Sequence, residues 1–327
     1  MVSNKKTVKK TNKSKKTYKT IKRINLEINT TNKKIKDNHV IKDTKNTKDT
    51  KNTKDNKNNI DNNDIEYYVA IPTYKRYQII QDKTLKVLRN AKIPKERIYL
   101  FVANKKEYQE YKQNVPKEMY HKIVIGILGL KNQRNFITKY FPEGTNIVNL
   151  DDDISEISQL YKINPPLSRK KTNINYRLKK LKHLDYFLQQ AFKICKENGA
   201  YLWGVNPVYN PYFMNFRTYT DLKFMVGTMW GCVNRHTSDL TITINEKEDV
   251  ERSLQYYKKD GIIIRFNYIT IKTKYYKTPG GMQSEDKNRR SEALDSATYL
   301  NKLYPRYTSL YFKKNGHPEL RLKDKTI

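Results

Sequence analysis

The chain of 327 residues is short of three things, and each shortage excludes something. It has only two cysteines, Cys195 and Cys232, far apart and without zinc-ligand spacing. A disulfide framework and a thiolate zinc site are thereby excluded, and a reducing compartment is expected. No apolar run approaches the ~20 residues that cross a bilayer, and the basic N-terminus has no apolar core like a secretory signal's, so a soluble, intracellular protein is expected. Acidic residues are half as numerous as basic ones, 33 against 66, which leaves a formal charge of +33. The excess divides as +12 before residue 65 and +21 after it, so it is not confined to a tail. A field of that sign attracts polyanions such as nucleic acid, nucleotides or anionic surfaces. The abundance of Lys, Asn, Ile and Tyr also follows from a very AT-rich genome.

Residues 1–64 are Lys, Asn, Thr and Asp, with a near-repeat between Asp43 and Asp55. Almost nothing there can be buried, so the segment is expected to be a disordered basic tail, either a nuclear-import or DNA-tethering arm (Lys5 to Arg23) or inert. From 65 onward strands and helices alternate. Strands are expected at Tyr67–Ile71, Arg97–Val102, Lys122–Ile125 and Asn146–Leu150, with helices at Asp82–Asn90, Glu107–Gln113 and Asn132–Tyr140 between them. That rhythm predicts an α/β domain, a mostly parallel sheet with helices on both faces. The second half reads as a helix over Tyr176–Asn198, strands at Tyr201–Val205 and near Phe224–Val233, a helix over Asp249–Lys259, strands at Ile262–Phe266 and Tyr268–Lys272, and a helix over Ser291–Leu303. One domain, 65–327, is expected, with a nucleotide-binding half (65–155) and an acceptor and catalytic half (156–327).

The most informative stretch is Asp151-Asp152-Asp153, which ends the strand Asn146–Leu150. Ligands of open α/β sheets bind beyond the carboxyl ends of the strands. Three adjacent carboxylates there call for a cation, and a hard divalent ion suits them. Side chains two apart share a face of an extended chain, so Asp151 and Asp153 are the expected ligands and Asp152 turns toward a donor sugar or ribose. A solvated acidic turn is the plainer alternative.

Upstream lie the strand end Ile71-Pro72-Thr73-Tyr74-Lys75-Arg76 and Gly129-Leu-Lys-Asn-Gln133-Arg134-Asn135 opening a helix. In this order the set resembles nucleotide-sugar glycosyltransferases of the A-type fold. The resemblance implies that Pro72, Thr73 and Arg76 meet the nucleoside, that Gln133 and Arg134 serve the donor phosphate or sugar, and that Mn²⁺ or Mg²⁺ neutralises the diphosphate of a UDP-sugar.

A narrower resemblance rests on Val69–Arg76, Arg97–Ala103, Gln133–Asn135, Asp151–Ile154, Glu248-Asp-Val-Glu-Arg252 and Gly280-Gly281. These look like the TET/JBP-associated glycosyltransferases, which include the glucosyltransferase that makes base J and relatives in phages and large DNA viruses. The likeness spans roughly residues 66–322. It implies transfer of a sugar, glucose for preference, to the hydroxymethyl group of a modified pyrimidine in DNA, in a viral factory or a nucleus. Glu248 or Asp249, at a helix start, is then the carboxylate that takes the acceptor proton. Gly280 and Gly281, with Arg289 and Arg290 beyond, suit a loop closing over the donor, and His317 a third metal ligand. Capping acids, a plain hairpin loop and a turn histidine are the structural alternatives. Tyr209, Tyr212, Phe213, Phe216 and Tyr219 cluster beside Arg217, as for stacking an extruded base or for core packing. Two other readings of the whole stay open: transfer to protein or glycan acceptors, and a non-catalytic basic DNA-binding module on a degenerate transferase fold.

Overall fold

The computed structural model describes residues 65–163, 176–273, 280–281, 286–314 and 316–323, the side chains of 286–290 excepted. The 1–64 tail lies outside them. Residues 65–327 form one unit.

Four strands begin the sheet: β1 Tyr68–Pro72, β2 Ile98–Val102, β3 Lys122–Ile125 and β4 Asn146–Leu150. They run parallel in the order β3-β2-β1-β4. Their near-continuous Val, Ile, Leu and Phe content is what burial on both faces requires. The crossovers are α1, running Tyr77–Ile80 through a π-helical turn Gln81–Leu85 into Lys86–Asn90, then α2 Lys105–Asn114 and α3 Leu130–Tyr140.

The second half extends the sheet beyond β4. Its strands are β5 Glu156–Lys162, β6 Tyr176–Lys180, β7 Leu202–Asn206, β8 Thr218–Tyr219, β9 Met229–Val233 and β10 Ile264–Lys272. The full order is β3-β2-β1-β4-β9-β7-β10-β5-β6, with β8 beside β10. β9 runs antiparallel to both β4 and β7, so β7 and β10 point the same way as β1 and β4. Helices α4 Leu184–Asn198, α5 Glu248–Asp260 and α6 Asp286–Leu303 complete it, with a hairpin of β11 Thr308–Phe312 and β12 Pro318–Leu322.

Alternation along the strands divides the core between two faces. On one, Ala70, Phe101, Ile147, Leu202 and Trp230 pack with Ile137 of α3, Leu254 of α5 and Leu300 of α6. On the other, Trp203 is wholly buried among Phe187 and Phe192 of α4 and Phe266 of β10. Trp203 also explains Gly231 opposite it: a Cβ there would sit 2.3 Å from the indole. Truncating such a buried ring costs ~3–5 kcal/mol.

Three expectations are corrected. Tyr176–Lys180 is a strand, not the first turns of a helix, because its alternating side chains pair with β5; α4 begins only at Leu184. The strand expected near Phe224–Val233 is confined to Met229–Val233. The two strands expected at Ile262–Phe266 and Tyr268–Lys272 are one, β10, whose register against β7 shifts between Phe266 and Thr270. β5, which the sequence pattern did not reveal, begins three residues after the acidic triplet. No helix among the described residues is long and apolar enough to cross a membrane.

Candidate active site at the carboxyl end of the sheet

β1 and β4 end side by side, which brings the Thr73–Arg76 turn against Asp151–Asp153. The three aspartates have different surroundings. Asp152 points inward, its side chain 5% exposed. It accepts hydrogen bonds from Thr73 Oγ1 at 2.8 Å and Arg76 Nη1 at 2.9 Å. Burial raises its carboxyl from 3.8 to about 6 against the pull of Arg76 and Thr73. Asp153 accepts from Thr273 Oγ1 at 2.7 Å and lies 3.8 Å from Arg76 Nη1. Asp151 is the most open, its side chain 37% exposed, and accepts from Arg134 Nη2 at 3.1 Å. The desolvating cleft shifts its carboxyl upward, opposed by Arg134. Thr84 fixes the main chain here, donating to Asp151 O at 2.7 Å and accepting from Ile154 N at 3.0 Å.

Residues expected to meet the nucleoside therefore support the triplet first. Thr73 is wholly buried, 2.6 Å from the Tyr111 hydroxyl, which also accepts from Arg76 N at 3.0 Å. Arg76 continues outward to donate to Gly280 O at 2.8 Å, and Gly281 N donates to Tyr74 O at 3.0 Å. Gly281 has φ of 101° and its missing Cβ would lie 2.8 Å from Arg76 Nη2, so this contact requires glycine. The Gly280–Gly281 pair thus lies against the Thr73–Arg76 turn. The rest of that loop and the side chains of Arg289 and Arg290 lie outside the described residues. Gln133, expected at the donor, is wholly buried: its Oε1 accepts from Ile127 N at 2.8 Å and its Nε2 donates to Val102 O at 3.3 Å. It braces the β3–α3 loop onto the end of β2.

Arg134 links the triplet to α5. Besides Asp151, its Nη2 donates to Gly227 O at 3.1 Å, its Nη1 donates to Asn149 Oδ1 at 3.3 Å, and its Nε lies 3.9 Å from Glu248 Oε1. Glu248 is buried and ion-paired with Arg252, one turn on in α5. Both guanidiniums pack against Trp230, its ring 3.7 Å from Arg252 Cζ and 5.6 Å from Arg134 Cζ. Such cation–π contacts lessen the cost of burying two like charges together. Burial pushes both guanidiniums below their ordinary range, and for Arg252 the nearby Arg134 adds to it. Among the described residues Arg134 Nε, Arg252 Nη1 and Trp230 Nε1 have no hydrogen-bond acceptor. Trp230 is buried against the two arginines.

Asp249 differs from its neighbour. It is half-buried, accepts from Gly227 N at 3.2 Å and its Oδ1 accepts from Val250 N at 2.9 Å. Burial raises its carboxyl to about 6, against those two amides and Lys247. Lys247, two residues before it, is held at φ 63°, and Lys75 of the first turn at φ 55°. Left-handed non-glycine residues persist where surrounding contacts enforce them. For Lys75 the enforcing contact is its N–H on Glu107 Oε2 at 2.8 Å. Lys247 Nζ pairs with Glu319 at 3.2 Å. The approach to α5 is tied down as well: Asn135 and Ile242 exchange two hydrogen bonds, and Glu251 accepts from the Thr243 amide and hydroxyl.

His317 lies on the β11–β12 hairpin, its Nδ1 3.1 Å from Pro318 O and 3.8 Å from Glu319. Among the described residues no group of three or more His, Cys, Asp and Glu side chains is placed to hold a metal ion. What the site offers is two hard carboxylates, Asp151 and Asp153, the first of them open. That donor set suits a divalent cation only if a ligand supplies the remaining oxygens, as a diphosphate does.

Sequence reasoning missed Thr84 and Gly227 as parts of this site and named Arg252 only as the end of a motif, without a role. Only Arg252 carried a signal, its four-residue spacing from Glu248.

The family model for the TET-associated glycosyltransferases matches residues 67–281. Among solved structures, crystal structures of S. aureus TarS are similar. One of TarS 1–349 is 11% identical with a TM-score of 0.41, over 72% of this chain and 65% of that one. A longer TarS chain is 12% identical with a TM-score of 0.40, covering 72% of this chain and 40% of its own length. TarS 1–349 in complex with UDP gives 12%, 0.41, 73% and 72% in the same terms. No curated protein matches the chain.

Proposed function

The chain belongs to the TET-associated glycosyltransferase family, and from that premise we propose that it moves a sugar from a UDP-sugar to the hydroxymethyl group of a modified pyrimidine in DNA. The observation that carries the reading is the convergence on Arg134 of two acidic groups from distant parts of the chain. Asp151 lies 3.1 Å from its Nη2, and Gly227, whose carbonyl accepts from the same nitrogen, donates through its amide to Asp249.

In this reading Asp249 is the general base. It is the more open of the helix-start pair, whereas Glu248 is committed to Arg252. Its raised pKa places it near working pH, where a base both ionises and accepts a proton effectively. Arg134 and Arg252, with unsatisfied donors, hold a positive potential toward the donor diphosphate. Asp151 and Asp153 would hold Mn²⁺ or Mg²⁺ together with that diphosphate, and the ion would neutralise charge on the leaving group. Arg76 holds Asp152 and so keeps the triplet's backbone in place while the Gly280–Gly281 segment caps the turn. The folded domain's excess of +21 supports a polyanionic acceptor.

The test measures UDP release with Mn²⁺ or Mg²⁺, with and without duplex DNA containing hydroxymethyluracil or hydroxymethylcytosine, and the mass of the recovered nucleosides. A hexose added to the modified nucleoside is the expected result. Release that is indifferent to DNA, with no mass change, would sink the acceptor assignment.

A further inference from the structure

The aromatic segment after β7 is not used by the site described above. Its turn Pro211–Phe213 leaves Tyr212 65% and Phe213 58% exposed, and Phe216 follows at 44%. Large rings crowded together on a surface mark an interaction site. These are held by a fixed backbone. Buried Asn206 donates to Phe213 O at 3.1 Å and to buried Asn267 Oδ1 at 2.8 Å, and Asn210 Oδ1 accepts from Tyr212 N at 3.0 Å. The Phe216 ring meets Tyr176 of β6 edge-on, 5.8 Å between centroids.

β6 is the last strand of the sheet, and β5 and β6 carry Lys162, Arg177, Lys179 and Lys180 against a single acid, Glu156. Tyr176 pairs with Lys162 and Ser158 with Lys180, so both lysines lie on the face that carries Tyr176 and Phe216. That face leads back to the candidate site. The Tyr209 hydroxyl donates to Glu156 at 2.9 Å, and Glu156 pairs with Lys272, next to the Thr273 that bonds Asp153. β7 is parallel to β4, so the aromatic segment leaves the sheet at the same end as the triplet.

We propose that Tyr212, Phe213 and Phe216, with Lys162 and Lys180 of the β5–β6 edge, form a track for an unpaired segment of a DNA strand. Bases stack on the rings and phosphates lie against the lysines, so an extruded nucleotide is delivered toward Asp151 and Asp249. Stacking rings need the open face of a base, and an excess of exposed cations needs a polyanion; an unpaired strand supplies both. This rests on the reading of DNA as acceptor and adds where and in what state it binds.

The test compares full-length wild type with the triple variant Tyr212→Ala, Phe213→Ala, Phe216→Ala. Fluorescence anisotropy is read with a labelled DNA single strand and with an abasic strand of equal length. The basic tail is present in both proteins and contributes equally. The variant should bind the base-bearing strand on the order of tenfold or more weakly, while its affinity for the abasic strand stays within about twofold. Equal binding of the base-bearing strand by both proteins overturns the track. So does an equal loss on both strands, which would make the segment an electrostatic or structural element. Should the variant fold poorly, photocrosslinking of wild type to a strand carrying bromouracil decides: adducts at 209–216 support the track, and adducts only elsewhere overturn it. Failure of the acceptor reading looks different, as base-dependent binding without sugar transfer. Transfer at wild-type KM by the variant sinks the track and leaves the function standing.

Discussion

The triplet at the end of β4 and the Glu248–Asp249 pair at the start of α5 are unrelated in sequence position, yet each separates adjacent carboxylates in the same way. One member is driven inward and ion-paired: Asp152 to Arg76, Glu248 to Arg252. The other stays open to the cleft: Asp151 and Asp249. The inward carboxylates are anchors: Glu248 holds the buried Arg252 guanidinium, and Asp152 holds Arg76 where it also meets Gly280. The open ones are the groups a ligand can reach. Chemical identity does not distinguish Asp151 from Asp152; burial and partners do.

The largest effect that would break this comparison is on turnover. Asp249→Asn should lower the transfer rate by about 10²–10⁴ in steady-state assays while the thermal midpoint holds. Equal activity in that variant would return the base role to Glu248. Glu248→Gln should instead act on stability. It leaves Arg252 buried without its carboxylate, while Arg134 keeps Asp151, and chemical denaturation should register a loss of about 3–5 kcal/mol. Next in size, Asp151→Asn should raise the Mn²⁺ concentration for half-maximal activity about tenfold or more, with binding of DNA unchanged.

Two smaller effects concern pH. With the Asp249 carboxyl raised to about 6, kcat/KM should fall tenfold per unit of pH below that value. Asp152 is likewise raised from 3.8 to about 6, so its neutral form is the one the fold prefers. Its contribution to stability is fully present below 3.8 and is lost as the pH rises through about 6. The Asp152→Asn variant should flatten that part of the stability–pH curve in denaturant titrations. A slope unchanged from wild type would assign it to other carboxylates.

The first half of the domain was legible because burial on both faces demands continuous apolar strands. β1, β2, β3 and β4 were each recognisable as such, and the triplet stood out where one of them stopped. β6 was misread because a lysine-rich edge strand faces solvent, and Tyr-Arg-Leu-Lys-Lys satisfies a helix or a strand equally well until β5 lies beside it. The break expected within β10 reflects Asn267, a polar residue buried inside a strand to bind Asn206.

By itself the sequence determined the alternation of strands and helices, the acidic strand end and the acidic helix start, since these depend on residue order and local spacing. Only the tertiary structure decided which aspartate faces inward, that Gln133 and Thr73 are internal braces, and that Arg134 joins two acidic groups, Asp151 and Glu248, that are distant in sequence. Those outcomes depend on desolvation and on partners brought in by long-range packing. Neither is written into the few residues around a carboxylate.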